Sequence, residues 1–383
     1  MKRAVQLLKS LVLPILVFLA LPAITSAQHY QQTNLVSDLM GMAPLTDPNL
    51  KNPWGITRSA TSPWWVSNNN SGTSTLYTGA GAAVPINGTG FVTVPPPGFA
   101  PGTSATPTGV VFNGSATDFL LKTGKSAHFI FVTEDGTISA WNTGTSAELE
   151  VDNSDNGSSH GAVYKGATSG EINGKKYLYV TNFRHARVEV YDTTFKRVHL
   201  GEDAFEADCD RDDRDNHGDC ERIPDGFAPF NIQNIGGSLF VTYAKQDGAR
   251  HDDVAGAGLG FVEIYSPRGR HIGHLEHGNW FNSPWGVVWT TRDFGEFSNS
   301  ILVGNFGSGW IAAFNGFTYK FEGFVKNPDD SIMTINGLWS LTFGNDGSAG
   351  PANTLFFAAG INDESDGLFG TITPTDGLDG DEE

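Results

Sequence analysis

Asn52-Pro-Trp-Gly-Ile56 and Ser283-Pro-Trp-Gly-Val287 are two copies of one short pattern, and this pattern decides the fold. Each copy places a turn-forming residue and a bulky residue before an apolar run. Four further stretches resemble them, at residues 106–110, 159–163, 228–232 and 336–340. Aligned on Trp54, Thr108, Gly161, Phe230, Trp285 and Leu338, the copies lie 54, 53, 69, 55 and 53 residues apart. A period near 50 in a strand-patterned chain is typical of a β-propeller, in which each repeat forms one blade.

Within each repeat, apolar runs alternate with polar turns, which predicts a meander of antiparallel strands. A fourth, outer strand follows in five repeats, at residues 91–94, 148–151, 197–200, 270–275 and 319–324. The sixth repeat has none, and an unpaired sheet edge is an aggregation hazard. Leu35-Val-Ser-Asp38 is an unused strand of the right length. We therefore predict an all-β, six-bladed β-propeller of four-stranded antiparallel blades over residues 28–373, its ring closed by an N-terminal strand.

The first 27 residues are typical of a secretory signal peptide. Lys2, Arg3 and Lys9 precede an apolar run at residues 11–21, and Thr25-Ser-Ala27 offers small residues for cleavage. The run is shorter than the about 20 residues of a membrane span, although an uncleaved anchor is the alternative. We expect a secreted monomer, periplasmic or extracellular, with no transmembrane segment after cleavage.

The charge balance argues against one class of partner. Removing the three basic residues of the signal peptide takes the formal net charge from −18 to −21. Nucleic acid is not expected as a partner, because its phosphates require a basic surface. Residues 202–221 hold ten carboxylates against two arginines, and residues 376–383 hold five more. We interpret residues 202–222 as an insertion into the propeller and residues 374–383 as a disordered acidic tail.

A binding site is expected where the first strands begin and the second strands end, because a meander brings these points to one mouth of the channel. The candidate ligand-binding residues there are Trp54, Asn68, Arg184, Asn231, Trp285, Asn305 and Trp339. Asparagine also makes turns and caps backbone groups, so a purely structural role for the asparagines is the alternative.

Acidic residues occupy several turns predicted at the same mouth: Glu134, Asp252, Asp253, Asp363 and Glu364. If these turns meet, like charges crowd together, and a bound cation or raised pKa values would relieve the repulsion. Carboxylate oxygens on loops favour calcium over zinc. The sequence thus predicts Ca²⁺ as a cofactor at the mouth, unless the acids splay into solvent.

The insertion is a second candidate calcium site. Its candidate ligands are Asp208, Asp210, Asp212 and Asp219. The first three are spaced two apart, as at the start of a calcium loop, but Asp213 stands where an EF-hand needs glycine. Cys209 and Cys220 are the only cysteines, and in an exported chain we expect them to form a disulfide. A solvated acidic loop without metal is the alternative.

Catalytic motifs are sparse. The chain has no Gly-x-Ser-x-Gly elbow, no phosphate-binding glycine loop and no His-Glu-x-x-His pair. His271, His274 and His277 follow the spacing of an outer strand, which predicts surface positions rather than ligands.

Several longer motifs carry a family resemblance. They are Asp47-Pro-Asn-Leu-Lys-Asn-Pro-Trp-Gly55, Thr133-Glu-Asp-Gly-Thr-Ile-Ser-Ala-Trp141, His251-Asp-Asp-Val-Ala-Gly256 and Ala359-Gly-Ile-Asn-Asp-Glu364. Together they resemble an uncharacterised family of secreted bacterial six-bladed propellers, some with a C-terminal protein-sorting anchor. More distantly, the chain is similar to NHL-type propellers, which include binding modules as well as lyases and lactonases. The resemblance implies export and the propeller fold but no activity, and this chain ends in Asp-Glu-Glu rather than in an anchor.

Two functions remain in competition. The first is a binding or scaffold module whose mouth captures a small ligand, a glycan or a protein. The alternative is a calcium-dependent hydrolase or lyase of the lactonase-like propeller type, in which the metal polarises a substrate oxygen. The absence of a catalytic triad favours binding.

Overall fold

The chain folds into six four-stranded antiparallel blades arranged as a ring, which confirms the predicted β-propeller. A computed structural model describes residues 29–86, 88–206 and 223–375. The disulfide and calcium ligands predicted in the insertion lie outside these residues.

The strands follow one another blade by blade along the chain. The chain begins with β1 (Tyr30–Ser37) and the short β2 (Leu45–Thr46). Blade one contains β3 (Pro53–Thr57), β4 (Trp64–Asn68), β5 (Thr73–Tyr77) and β6 (Phe91–Thr93). Blade two contains β7 (Pro107–Phe112), β8 (Phe129–Thr133), β9 (Thr137–Trp141) and β10 (Glu148–Asp152). Blade three contains β11 (Tyr164–Ile172), β12 (Lys175–Asn182), β13 (Arg187–Tyr191) and β14 (Arg197–Val198). Blade four contains β15 (Phe227–Ile235), β16 (Ser238–Lys245), β17 (Phe261–Tyr265) and β18 (His271–His274). Blade five contains β19 (Pro284–Trp289), β20 (Ser300–Asn305), β21 (Ile311–Asn315) and β22 (Phe321–Phe324). Blade six contains β23 (Leu338–Phe343), β24 (Leu355–Ile361) and β25 (Asp366–Pro374).

The outer strand of blade six comes from the start of the chain, as the sequence predicts. Strand β1 pairs antiparallel with β25 from Tyr30 opposite Pro374 to Ser37 opposite Leu368. Tyr30 and Val36 are fully buried. Tyr30 reaches into the interface with blade five, where its hydroxyl donates to Phe294 O at 3.0 Å and accepts from Phe297 N at 3.1 Å. The closing strand therefore holds two blades, not one.

The repeated Pro-Trp-Gly pattern allows the blades to approach closely at the channel. The pairing of each first strand with its neighbour carries a register shift at this pattern, as between Pro53 and Ile56 in blade one. A Cβ atom on Gly55 would lie 2.5 Å from Thr108 O of the next blade, and such contacts are essentially forbidden. Glycine at this position is thus a packing requirement.

Two blades carry a side chain where the others carry this glycine, and both side chains bond to the next blade. Asn231 Nδ2 donates to Trp285 O at 2.7 Å. The Ser340 hydroxyl donates to Trp54 O at 2.6 Å. These bonds join blade four to blade five and blade six to blade one.

Buried apolar clusters between neighbouring blades make up most of the core of the described residues. One of them joins Trp64 and Val66 of blade one to Phe356 of blade six. A separate cluster lies on the ring axis and contains Trp54, Phe230, Trp285 and Trp339. The axial cluster fixes the floor of the channel mouth.

Candidate functional site

A ring of six side chains, one from each first strand, surrounds the axis at the mouth. They are Trp54, Thr108, Lys165, Phe230, Trp285 and Trp339, each at the register shift in its strand. In blade three this corrects the sequence alignment, because β11 begins at Tyr164 and its register shift lies between Tyr164 and Ala167. Gly161 therefore belongs to the preceding loop, and Lys165 takes the place that tryptophan has in blade one. In blade six the matching residue is Trp339 rather than Leu338.

Lys165 is a buried cation in this otherwise aromatic and neutral ring. Its side chain is 1% exposed, and its ammonium lies 5.0 Å from the centre of the Trp54 ring and 6.0 Å from that of Phe230. The ammonium donates to Glu134 Oε1, and it lies 3.4 Å from Asp252 Oδ1. Burial alone would lower its pKa, but the two carboxylates outweigh burial and the Lys165 pKa is raised.

The two carboxylates that hold Lys165 have partners of their own. Asn69 Nδ2 donates to Glu134 Oε2 at 2.8 Å. His251 Nδ1 lies 2.9 Å from Asp252 Oδ1, and this contact, with help from Lys165, lowers the pKa of Asp252 to about 2. The same contact raises the pKa of His251. The cluster therefore carries charges of both signs at neutral pH.

Two further carboxyl groups at the mouth, those of Asp253 and Glu364, have pKa values above the ordinary values of their residue types. Burial raises the pKa of Asp253, although the nearby Ser283 hydroxyl and Lys165 oppose the shift. Asp253 Oδ2 and Ser283 Oγ do not form a hydrogen bond with each other, and among the described residues neither atom has a partner. Burial also raises the pKa of Glu364 to about 7, despite the bond of 2.7 Å that Asn52 Nδ2 donates to Glu364 Oε2.

The predicted mouth acids thus converge in part. Glu134, Asp252, Asp253 and Glu364 influence the same ammonium. Asp363, in the same turn as Glu364, is exposed. The predicted raised pKa values occur here, at Asp253 and Glu364, and the Lys165 ammonium, which was not predicted, neutralises part of the negative charge. Lys165 is the residue that sequence reasoning missed, and Tyr164-Lys-Gly-Ala167 is the pattern that would have identified it.

We expect the raised pKa of Glu364 to make the protein less stable as pH rises. An unfolded glutamate loses its proton near pH 4.5, whereas Glu364 keeps its proton in the folded state up to about pH 7. The free energy of unfolding should therefore fall between these values, by at most about 3 kcal/mol from this group. In Glu364→Gln, the free energy of unfolding should decrease less between pH 5 and pH 8 than in wild type, as measured by urea unfolding. Asp363→Asn, in the same turn, is the control, and an unchanged pH profile in Glu364→Gln would contradict the assignment.

The three predicted tryptophans come together, but they pack on one another rather than line an open pocket. Trp54 and Trp339 stack with ring centres 3.5 Å apart, and Trp285 meets Trp54 edge-on at 6.2 Å. All three are nearly fully buried. The three tryptophans close the channel below Lys165, so they form the floor of the mouth and do not line an open pocket. On the far side of this plug, a cavity of about 390 Å³ is lined by later residues of the first strands, including Arg58 and Gln233.

The other predicted ligand-binding residues have local partners. Asn68 Nδ2 donates to Thr73 Oγ1 at 3.2 Å and to Thr75 Oγ1 at 3.0 Å, within its own hairpin. Asn305 is fully buried and bonds to backbone groups of Asn282 and Trp310. Arg184 donates to the backbone of Gly161 at 3.0 Å. Together with Asn231, which joins two blades, these residues occupy structural positions around the mouth.

Comparisons with known proteins add relatives but no activity. No family model matches the chain. An uncharacterised protein of Acanthamoeba polyphaga mimivirus is 29% identical over 348 residues, covering 88% of this chain and 78% of that protein. A second from the same virus is 26% identical over 351 residues, covering 88% and 84%. These relatives are viral, and they do not support the bacterial origin or the sorting anchor implied by the resemblance.

Solved structures with similar chain traces were also found. A streptogramin B lyase has a TM-score of 0.44 and 13% identity, over 91% of this chain and 98% of that one. A catalytically inactive virginiamycin B lyase from Staphylococcus aureus has a TM-score of 0.46 and 12% identity, over 90% and 99%. A Bacteroides thetaiotaomicron protein of unknown function has a TM-score of 0.49 and 8% identity, over 91% and 76%. Within the described residues, no helix is long and apolar enough to cross a membrane.

Proposed function

We propose that the protein is an exported binding module whose channel mouth takes a small cationic ligand. The observation that carries this proposal is the excess of carboxyl groups over cations around Lys165. Four carboxyl groups, those of Glu134, Asp252, Asp253 and Glu364, surround the Lys165 ammonium, with the His251 imidazole beside them. An excess of carboxyl groups over a low-dielectric floor favours a positively charged ligand.

The raised pKa values indicate where such a ligand would bind. Lys165 occupies the inner position, between Glu134 and Asp252. A calcium ion placed beside that ammonium would be repelled by it. Asp253, by contrast, has a buried oxygen without a partner among the described residues, and Glu364 is half protonated near pH 7. A second cation near these two carboxyl groups would favour their charged forms, and the attraction between the opposite charges would offset the cost of ionising them in a buried place.

The chemistry of the ligand is a positive charge, which calcium and an organic amine share. Calcium takes six to eight oxygen ligands, and the carboxylates and amides on the mouth loops are oxygen donors of the kind that it prefers. An alkyl ammonium needs fewer oxygens and could lie closer to the aromatic floor. Calcium is therefore the first ligand to test, and 1,4-diaminobutane is the organic comparison.

Cation binding at neutral pH is expected to release protons, because Glu364 must ionise. Titration calorimetry with CaCl₂, MgCl₂ or 1,4-diaminobutane, in two buffers of different ionisation heat, measures both affinity and proton release. At a ligand concentration 100 times Kd, unfolding should cost about 2.7 kcal/mol more. Glu364→Gln should abolish proton release and Asp253→Asn should weaken binding, whereas Asp363→Asn should change neither. Failure of all three cations to bind between pH 6 and pH 8 would rule out the proposal.

A second candidate function, a hydrolase or lyase acting at the mouth, draws on the pKa of Glu364. A general acid or base works best when its pKa is near the operating pH, and the Glu364 pKa is about 7. Turnover of a panel of lactones and esters tests this function. Loss of the proton-transfer group in Glu364→Gln should then reduce kcat by about 100- to 10,000-fold. Equal rates in Glu364→Gln and Asp363→Asn would rule out catalysis through Glu364.

The location of the protein and the chemistry of its insertion also belong to this proposal. The basic residues, apolar run and small residues of the first 27 positions support export. In an exported chain, Cys209 and Cys220 would form a disulfide around the acidic segment, where calcium would bind. Mass spectrometry of the secreted protein, with and without reductant, tests the cleavage site and the disulfide together.

A further inference from the structure

A second cluster of chemistry-bearing side chains lies at the outer edge of blade four. Its members are Glu263 on β17 and His271 and His274 on β18. One ligand atom from each residue lies within 4.8 Å of the other two. His271 Nε2 and Glu263 Oε2 are 2.6 Å apart, and the two imidazole rings stack with centres 6.4 Å apart. We propose that these three side chains bind a divalent transition metal ion, with Zn²⁺ as the ion that fits them best.

A β-bulge brings the two histidines to one face of the strand. In a regular strand, residues three apart point to opposite faces, so His271 and His274 would not meet without the bulge. The register shifts between His274, which pairs with Glu263, and His271, which pairs with Tyr265. Ile272 is displaced outward and is 43% exposed. Bulges re-aim side chains in this way next to functional sites.

Blade five contains the same bulge without the same residues. There Ala312 pairs with Phe324 and Phe314 pairs with Phe321, with the shift at the matching point. Trp280 stacks on Phe321 with ring centres 4.2 Å apart, so aromatic packing fills the space. The bulge therefore belongs to the blade architecture, and it requires neither histidine nor glutamate. The set of two histidines and one glutamate is a property of blade four.

Glu263 is a buried carboxyl group that lies against His271 Nε2, and a metal ion shared with His274 would serve as its positive partner. Glu263 is 5% exposed, and a buried carboxylate is costly without a positive partner. Zinc commonly takes three protein ligands from histidine and carboxylate and keeps a fourth position for water. Ligand atoms at about 2.0–2.1 Å from one tetrahedral zinc lie roughly 3.3 Å apart, and the three ligand atoms here all lie within 4.8 Å of one another.

The site is open to solvent on one side. His271 lines a surface cleft of about 430 Å³ whose walls also carry Glu202, Glu206, Arg268 and Arg270. The cleft gives water and a metal ion a path to the imidazole. This site differs from the channel mouth in position and in ligand type, because nitrogen donors favour zinc and carboxylates alone favour calcium.

Zinc binding to full-length mature protein without a histidine tag tests the proposal. Competition with a chromophoric chelator measures the affinity for zinc. We expect one tightly bound zinc ion per chain, and its binding should depend on the two histidines. Loss of a residue that merely orients a metal ligand already weakens metal binding by about 10- to 100-fold, so His271→Ala with His274→Ala should weaken it by more than about 100-fold. His128→Ala, which removes an exposed histidine of blade two, should leave the affinity unchanged.

A second pair of variants separates loss of the site from loss of the fold. His271→Phe with His274→Phe copies blade five, so this protein should fold and melt cooperatively yet lose the zinc ion. Asp363→Asn, in an exposed turn at the mouth, should keep it. In the cobalt-loaded protein, the visible spectrum should report mixed nitrogen and oxygen coordination that disappears in the phenylalanine variant. Equal zinc affinity in wild type and phenylalanine variant, or no zinc uptake by wild type, would leave His271 and Glu263 as an ion pair only and overturn the proposal.

Discussion

Replacing Lys165 by methionine is expected to destabilise the protein by about 3–5 kcal/mol at pH 8, the cost of leaving buried charges without their partner. Methionine is close in length to lysine and keeps the contacts with Trp54 and Phe230. What it removes is the ammonium that Glu134 and Asp252 share. Urea unfolding measures the loss. Lys175→Met, an exposed lysine on the next strand of the same blade, is the control and should cost less than about 0.5 kcal/mol.

The loss in Lys165→Met should depend on pH with a definite sign. Without the ammonium, the carboxyl groups around it are harder to ionise in the folded state than in the unfolded chain, and this penalty is present only at higher pH. The difference from wild type should therefore shrink between pH 8 and pH 5. Adding Glu134→Gln should recover part of the lost stability, because it removes one of the uncompensated charges. An equal loss at both pH values, with no recovery in the double variant, would mean that packing rather than charge explains the effect.

Deleting residues 28–40 is expected to cost well over about 5 kcal/mol, which is enough to unfold a typical domain. The deletion removes β1, exposes the edge of β25 and empties the pockets of Tyr30 and Val36. Burial of an aromatic side chain alone accounts for about 3–5 kcal/mol. Size-exclusion chromatography and thermal unfolding of the shortened protein should show aggregation or a non-cooperative transition.

Point variants of Tyr30 distinguish the contribution of its side-chain contacts from the effect of deleting the whole segment. Tyr30→Ala should lose most of the contribution of the buried ring, whereas Tyr30→Phe loses only the bonds with Phe294 and Phe297. The phenylalanine variant should therefore cost about 1–3 kcal/mol and remain cooperative. If the shortened protein melts like the intact one, β1 does not close the ring.

The fold could be predicted from the sequence because its period and turn residues repeat. The closing strand could be predicted by counting strands. The sixth repeat lacked an outer strand, and the apolar run at residues 35–38 belonged to no repeat. The position of Lys165 could not be predicted, because Ser159-His-Gly-Ala-Val163 imitates the start of a repeat that truly begins at Tyr164. An alignment that required glycine at the point of closest approach between blades would have placed Gly166 there, and Lys165 at the axis.

The site was predicted in composition but not in arrangement. The acids of three turns do meet, because a meander brings the turns after its second strands to one face. Which of them turn inward depends on single residues, so Glu364 bonds to Asn52 while neighbouring Asp363 remains exposed. The meeting of His271 and His274 on one face of blade four could not be predicted for a different reason. A bulge inserts one extra residue and so changes which side chains share a face. The alternation of apolar and polar residues in the sequence does not reveal where such a bulge occurs.

The pairing of β1 with β25 also sets the order in which the protein can assemble. Tyr30 and Pro374 lie 344 positions apart in the chain, so their contact must wait until every other blade has emerged. Contacts so distant in sequence are slow to form, because a large loop must close first. Blades one to five are each built from consecutive strands and do not depend on β1. Completion of blade six, and with it closure of the ring, is therefore the one step that requires both ends of the described chain at once.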